Sequence, residues 1–310
     1  MRVLVTGASG FLGRALVAAL AREGVHVCAA MREEAAGFPA NVEVVRHGDL
    51  ATRIQWRTLL SGIDCVVHLA GIAHARPGIP DRVYDEINHR ATAELAAAAQ
   101  RAGVKRLVFV SSIRAQSGPA ARDILTEADE PRPTDAYGAS KLAAERAVQA
   151  SGVPYTILRP VLVYGPGVKG NFAALVRLAA RKVPLPFGAS VNRRSLLDRD
   201  GLVRAVAFVL GTRAAAGQIY IVADPAPISL KDLITALRRG FGRPAWLVPV
   251  PRAALRAALR MTGHGEDIAR IDGELIASPA KLIAAGWPPP ADTGVALERM
   301  ARELVAGTAR

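Results

Sequence analysis

Residues 3–13 read VLVTGASGFLG, a short run of β-branched and apolar residues followed directly by a glycine-rich turn. Residues 14–23 continue with helical periodicity, which places Leu16, Ala19 and Leu20 on one face. A strand, a glycine-rich turn and a helix in this order predict the start of a βαβ unit.

The glycines of this turn have the spacing of a phosphate-binding turn. Gly7 permits a tight turn, Gly10 lets the backbone approach a pyrophosphate, and Gly13 lets the helix pack close to the strand. The helix N-terminus supplies free N–H groups and partial positive charge for the anion. We therefore expect the turn to contact a dinucleotide through Gly7, Ser9, Gly10, Phe11, Leu12 and Gly13.

Strand and helix patterns then alternate along the chain. The strand patterns are continuous apolar runs at 25–30, 42–45, 65–69, 107–110 and 155–158, and the main helical patterns cover 87–102 and 139–151. Such alternation predicts an α/β fold of the Rossmann type, a doubly wound parallel sheet covered by helices on both faces.

The pattern loosens beyond residue 165, and 310 residues are enough for about two structural units. We predict a dinucleotide-binding domain over 1–165, with 195–223 returning to it through a strand at 219–222. A smaller, discontinuous substrate-binding lobe would comprise 166–194 and 224–310.

The chain is basic, with 40 Lys and Arg against 27 Asp and Glu, a formal net charge of +13. Such a charge favours anionic partners. We find no run of five or more basic residues and no interleaving of basic with aromatic residues. Nucleic-acid binding is therefore not expected, and an anionic small molecule is the better partner.

The sequence also carries expectations about compartment and metals. Its two cysteines cannot form a disulfide framework. The apolar run at the start is too short for a signal peptide, and no uncharged run is long enough to span a membrane. We expect a cytoplasmic protein without integral membrane contact. No cluster has metal-ligand spacing, and we predict no metal.

Tyr137 and Lys141 form the spacing Y-x-x-x-K, which on a helix places them one turn apart on the same face. Tyrosine, with a pKa near 10, is a poor base at neutral pH. A neighbouring ammonium and a nicotinamide cation favour the phenolate. Tyr137 and Lys141 are therefore candidate catalytic residues.

The third candidate catalytic residue is Ser112, just after the strand at 107–110, with Ser111 as the alternative. Its hydroxyl would bind the hydroxyl or keto oxygen of a substrate and hold it beside Tyr137. Ser112 is thus predicted to serve both catalysis and substrate binding.

The G-x-x-G-x-x-G turn of residues 7–13, together with Ser112, Tyr137 and Lys141, resembles the extended short-chain dehydrogenases/reductases, in particular the NAD-dependent epimerase/dehydratase family. The resemblance implies further cofactor contacts beyond the glycine turn: Asp49 and Leu50 on the adenine side, Leu69, Ala70 and Gly71 on the nicotinamide side, and Asn88. It implies substrate contacts at His74, Asn171 and Arg193. Arg194 cannot be separated from Arg193 by sequence.

The choice between NAD and NADP depends on the end of the second strand. An acidic residue there binds a ribose 2′-hydroxyl, and an arginine accepts a 2′-phosphate. Met31 stands at the expected acidic position, and Arg32 follows it. We predict NAD or NADP as cofactor, with Arg32 favouring NADP.

The resemblance implies an NAD(P)-dependent nucleotide-sugar 4-epimerase that removes and returns a hydride at C4 of a UDP-sugar through a 4-keto intermediate. The alternative is an NADPH-dependent reductase of a 4-keto nucleotide sugar or another ketone. Ile113 and Arg114 follow Ser112, where dehydratases of the family carry an Asp-Glu pair. Dehydration is therefore disfavoured. The family also implies a possible homodimer.

Overall fold

The computed structural model describes residues 1–33, 37–52, 54–73, 78–251, 273–289 and 292–308, together with positions 253, 254, 257 and 261. The strands are β1 (Arg2–Thr6), β2 (His26–Met31), β3 (Glu43–Arg46), β4 (Cys65–His68), β5 (Arg106–Val110), β6 (Tyr155–Pro160), β7 (Leu162–Tyr164), β8 (Arg193–Arg194), β9 (Leu196–Asp198), β10 (Gln218–Val222) and β11 (Ile228–Ser229).

The α-helices are α1 (Phe11–Arg22), α2 (Trp56–Leu59), α3 (Asp81–Tyr84), α4 (Ala91–Arg101), α5 (Ala136–Ala150), α6 (Gly170–Ala179), α7 (Arg199–Gly211), α8 (Leu230–Gly240), α9 (Ala280–Ala284) and α10 (Thr293–Thr308). A π-helical segment, Asp85–Arg90, joins α3 to α4, and short 3₁₀ turns lie at Ile113–Ala115 and Arg213–Ala215.

Seven strands form the central sheet in the order β10-β6-β5-β4-β1-β2-β3, and every neighbouring pair is parallel. The predicted fold class is confirmed. The carboxyl ends of all seven strands therefore lie along one edge. The strand order reverses direction between β1 and β4, which is where ligands of open α/β sheets bind.

Alternation along each strand explains the continuous apolar runs. In β1, Val3 and Val5 pack into one buried cluster and Leu4 into another, on the opposite face of the sheet. In β2, Cys28 joins the second cluster, whereas its neighbour Val27 joins the first. A strand covered on both faces needs apolar residues at every position, so its period-two signal disappears.

Some element boundaries differ from the prediction for identifiable reasons. Helix α5 begins at Ala136 and not at residue 139, because the Asp135 carboxylate accepts the Gly138 N–H at 2.7 Å and caps the helix. The helix predicted over 87–102 is regular only from Ala91, since Asp85–Arg90 is π-helical.

A third buried cluster lies outside the central sheet and packs α6, α8 and α10 around residues such as Phe172, Leu237 and Leu297. Strand β10 pairs with β6, with Ile219 opposite Ile157. These two observations support the division into a dinucleotide-binding domain over 1–165 with 195–223, and a smaller lobe over 166–194 and 224–310. The division itself stays a prediction.

Candidate active site

The glycine turn after β1 is packed so closely that side chains are excluded at two positions. A Cβ on Gly13 would lie 2.2 Å from the Gly7 carbonyl oxygen. Gly7 has a positive φ of 69°, and a Cβ there would lie 2.8 Å from the Ala70 nitrogen. The turn therefore brings α1 against β1, and β1 against the segment that follows β4.

The N-terminus of α1 has the donor set that a pyrophosphate needs. The residue before it, Gly10, is exposed and makes no side-chain capping bond. The Arg14 N–H donates to the Gly10 carbonyl at 3.0 Å, so the helical N–H groups before Arg14 have no intrahelical acceptor. Ser9 is exposed beside them, and Phe11 and Leu12 are half-buried. These residues fit the phosphate groups of a dinucleotide.

At the end of β2, Arg32 is exposed and forms an ion pair with Glu33, with 3.5 Å between Nε and Oε1. Asp49 lies after the adjacent β3, where its carboxylate accepts the Ala51 N–H at 3.0 Å. Leu50 is half-buried and packs against the second core cluster. Arg32 is thus free of any buried partner among the described residues, and Asp49 caps a turn.

Asn88 links the segment after β4 to helix α5 through side-chain hydrogen bonds. Its Oδ1 accepts the Ile72 N–H at 2.8 Å, and its Nδ2 donates to Ser140 Oγ at 3.1 Å. Gly71 lies against it, since a Cβ there would be 2.6 Å from Asn88 Oδ1 and 4.0 Å from Lys141 Nζ. Leu69 and Ala70 precede Gly71 in the same segment. These predicted nicotinamide-side residues therefore meet near Lys141.

His68 at the end of β4 is completely buried and was not singled out by sequence. Its Nδ1 lies 2.7 Å from Thr6 Oγ1 and its Nε2 lies 2.9 Å from Thr92 Oγ1. Thr92 donates onward to the Asn88 carbonyl at 2.6 Å, which requires the Nε2–H tautomer. Burial, and secondarily the charge of Lys141, lower the pKa of His68 to about 3. His68 is therefore a neutral link between β1, β4 and the Asn88 segment.

The three predicted catalytic side chains converge at the end of β5. Ser112 lies close enough to Tyr137 to lower the pKa of its phenol, and all three side chains are buried, with 8% exposure for Ser112, 6% for Tyr137 and 5% for Lys141. Lys141 Nζ donates to the Val110 carbonyl at 3.1 Å and lies 4.8 Å from the centre of the Phe109 ring. Helix α5 thus places Tyr137 beside the turn after β5, and Lys141 over the end of the strand.

The protein groups do not by themselves lower the pKa of Tyr137. Burial raises it to about 12, and the hydrogen bond from Ser112 and the positive charge of Arg114 oppose that rise. Burial also lowers the pKa of Lys141 to about 8, against the charge of Glu145. Desolvation dominates the pKa of both groups, and the charge of Lys141 is not among the influences on the pKa of Tyr137.

Arg114 and Asp135 form an ion pair that joins the turn carrying Ser112 to the start of α5. The Ser112 hydroxyl also accepts the Arg114 N–H at 3.1 Å. A Cβ on Gly138 would lie 2.3 Å from the Arg114 carbonyl, so the backbones of turn and helix are in direct contact.

Two other predicted substrate contacts, Asn171 and Arg193, lie on elements outside the central sheet. Asn171 is exposed in the first turn of α6, and Arg193 is exposed in β8. Arg194 is more buried, and its guanidinium donates to the carbonyls of Gly273 at 2.8 Å and Pro119 at 2.6 Å. The structure thus distinguishes the two arginines, which the sequence alone could not. His74 lies outside the described residues.

Among the described residues, no group of three or more His, Cys, Asp and Glu side chains is placed to hold a metal ion. Within the same part of the chain, none of the helices has the length and apolar character needed to cross a bilayer.

Comparison with known proteins places this geometry in a family. The sequence pattern of the NAD dependent epimerase/dehydratase family matches residues 3–223. The chain is 32% identical over 300 residues to the UDP-glucose 4-epimerase of Vibrio cholerae, covering 93% of this chain and 90% of that protein. The protein therefore belongs to the NAD-dependent epimerase/dehydratase family, and it is an enzyme of the short-chain dehydrogenase type.

Two further relatives bear on the chemistry. The ceramide reductase of Caulobacter vibrioides is 34% identical over 209 residues, covering 66% of this chain and 60% of that protein. The solved structure of MoeE5 in complex with UDP-glucuronic acid and NAD is 26% identical, with a TM-score of 0.77, covering 99% of this chain and all of that one. The proteins similar to this chain thus include both an epimerase and a reductase.

Proposed function

We propose that this protein is an NAD(P)-dependent nucleotide-sugar 4-epimerase acting at C4 of a UDP-sugar. The observation that carries the proposal is the convergence of Ser112, Tyr137 and Lys141 at the sheet edge next to the glycine turn. The 32% identity to a UDP-glucose 4-epimerase over 93% of the chain supports the sugar chemistry.

In this proposal Tyr137 moves the proton of the C4 hydroxyl. Ser112 would bind the same oxygen and hold it at Tyr137, because the two buried side chains lie side by side. Lys141, one helical turn away, and the cation of a bound nicotinamide would together favour the phenolate form of Tyr137 against the effect of burial. A bound nicotinamide supplies the hydride acceptor and donor for C4. Return of the hydride to the other face of the 4-keto sugar would yield the epimer.

The glycine turn, with Ser9, Phe11 and Leu12, would hold the pyrophosphate of the cofactor, and Asp49 with Leu50 its adenosine end. Leu69, Ala70, Gly71 and Asn88 would hold the nicotinamide end, since they adjoin Lys141. Arg193 and Asn171, with His74, are proposed substrate contacts. Arg193 rather than Arg194 suits a diphosphate, because the guanidinium of Arg194 is already bound to two carbonyls.

The second candidate is an NADPH-dependent ketone reductase. It is favoured by the exposed Arg32 at the end of β2 and by the identity to a ceramide reductase. An epimerase keeps its cofactor through each cycle, whereas a reductase consumes one NADPH per product. The two candidates therefore differ in stoichiometry. The homodimer and the cytoplasmic location stay predictions.

The test begins with the nucleotide that purified protein releases on denaturation, identified by mass spectrometry. The proposal expects retained NAD and interconversion of the C4 epimers of a UDP-sugar without net oxidation of the cofactor. An empty site with much tighter binding of NADPH than NADH, and stoichiometric NADPH consumption by a ketone, would establish the reductase instead.

A further inference from the structure

A buried carboxylate lies beneath the proposed catalytic residues. Glu145 of α5 is 1% exposed, and Ser111 donates to its Oε1 at 2.5 Å. Arg159 of β6, 3% exposed, donates to the same carboxylate through Nε at 3.0 Å and through NH2 at 2.6 Å. This pair is among the most buried charges of the described residues, and nothing proposed above uses it.

The pair holds both ends of the turn after β5. Ser111 begins the turn and is bonded to Glu145, while Gln116 ends it and accepts from Arg159 NH1 at 2.8 Å. Gln116 in turn donates to the carbonyls of Thr126 and Asp129. Ser112 lies between these two attachment points. The position of its hydroxyl therefore depends on Glu145 and Arg159.

Glu145 also lies one helical turn beyond Lys141 on α5. Tyr137, Lys141 and Glu145 follow one another at four-residue spacing, so they lie along one face of α5. The charge of Glu145 raises the pKa of Lys141 against burial, which lowers it to about 8. Burial leaves the facing His68 of β4 neutral, with a pKa of about 3.

Three other charged or titratable groups act on Tyr137 and not on Lys141. They are Arg114 of the turn, Asp135 at the start of α5, and Tyr84 of α3. Lys141 otherwise meets the Phe109 ring and the Val110 carbonyl. Within the described residues, Glu145 is thus the anionic group that favours a charged Lys141.

We propose that Glu145, held by Arg159, is a positioning residue that fixes the turn carrying Ser112 and maintains the positive charge of Lys141. The catalytic meaning of both effects rests on the proposed function. Stability alone is a weak reason for such a pair, because apolar residues of similar volume often replace a buried ion pair at no loss. Its hydrogen bonds to Ser111 and Gln116 are what an apolar replacement could not supply.

The first readout is independent of turnover. The chain has six lysines, so lysine-labelled NMR can follow the titration of Lys141, assigned by the loss of its signal in Lys141→Met. Glu145→Gln is expected to lower the titration midpoint of Lys141 by about one pH unit or more, because Lys141 loses a neighbouring opposite charge. Ser111→Ala leaves that charge in place and should leave the midpoint unchanged.

The second readout is hydrogen exchange in the full chain over residues 111–117. Both Glu145→Gln and Ser111→Ala should speed exchange there by at least about fivefold, because each removes an attachment of the turn. The control is Glu130→Gln, which removes an exposed ion pair with Arg132 and should change neither readout. If Glu145→Gln does not fold, Ser111→Ala still tests the turn.

The third readout is the pH profile of turnover. Activity that needs a charged Lys141 falls as pH rises through its pKa, so Glu145→Gln should move that fall to lower pH and reduce kcat, with KM within about twofold. Unchanged exchange and an unchanged Lys141 midpoint in Glu145→Gln would overturn the inference. If both change as expected but the wild type epimerises no UDP-sugar, the proposed function fails and the assignment of Glu145 stands.

Discussion

Ser112 and Tyr137 lie side by side, and the Ser112 hydroxyl acts to lower the pKa of the Tyr137 phenol, although Ser112 follows β5 and Tyr137 lies in the first turn of α5. The Arg114–Asp135 ion pair joins the same two elements. This pairing of the two elements therefore sets the separation between the group that would bind a substrate oxygen and the group that would take its proton. An oxygen held by Ser112 would then lie within reach of Tyr137.

Replacement of Tyr137 by phenylalanine removes the proposed proton donor and acceptor and little else. We expect Tyr137→Phe to lower kcat by about 10²–10⁴-fold, the usual contribution of a positioned acid or base, while cofactor binding is retained. Steady-state kinetics and a nucleotide-binding titration measure the two effects. Tyr155→Phe at the start of β6 is the matched control, since its hydroxyl accepts a hydrogen bond from Gln149 at the protein surface. Equal activity in both variants would exclude Tyr137 from the chemistry.

Arg114 and Asp135 should shift the pH profile in opposite directions. The charge of Arg114 lowers the pKa of Tyr137 and that of Asp135 raises it. A base must be deprotonated, so activity falls as pH drops below its pKa. Arg114→Gln is therefore expected to move the acidic limb of kcat to higher pH, and Asp135→Asn to move it to lower pH. Shifts of the same sign would contradict the assignment of Tyr137 as the titrating group.

Gly13 is predicted to tolerate no side chain. A Cβ there would lie 2.2 Å from a backbone oxygen that cannot move aside, whereas one on Gly211 at the end of α7 would meet nothing within 4 Å. Gly13→Ala should destabilise the protein by about 1–3 kcal/mol or more and weaken dinucleotide binding. Gly211→Ala should leave both unchanged. Thermal unfolding and cofactor titration distinguish them, and a stable, fully binding Gly13→Ala would refute the role of this turn.

Arg32 is the residue that should determine whether the protein prefers NADPH to NADH. If it binds a 2′-phosphate, Arg32→Ala should weaken NADPH binding by about tenfold, the worth of one charge-assisted contact, and leave NADH binding unchanged. Arg22→Ala, at the far end of α1, is the control for loss of one positive charge. Equal affinities for NADPH before and after the substitution would make Arg32 a surface residue paired with Glu33.

Local spacing explains what the sequence could predict. The glycine turn, the parallel sheet and the pair of Tyr137 and Lys141 all depend on residues close together in the chain, or on runs that a doubly covered strand requires. The predicted start of α5 is three residues late, because the helix is begun by the capping side chain of Asp135, which lies outside the apolar periodicity.

Long-range polar contacts explain what was missed. His68 and Glu145 stand in otherwise apolar or helical patterns. The partner of His68, Thr6, lies 62 residues away in the chain, and the partner of Glu145, Arg159, lies in the strand that follows α5. Nothing in the spacing of residues indicates such pairings. Arg193 and Arg194 are likewise adjacent in sequence, and only the carbonyls of Pro119 and Gly273 distinguish them.

The most direct test of the central claim is to incubate the purified protein with UDP-sugars deuterated at C4 and to follow the products by NMR and mass spectrometry. UDP-glucose, UDP-glucuronic acid and UDP-N-acetylglucosamine are the first substrates to try. The account predicts the C4 epimer of at least one of them, with deuterium retained at C4 and no net change in reduced cofactor. Absence of any epimer, with NADPH consumed in proportion to reduction of a ketone, would contradict it.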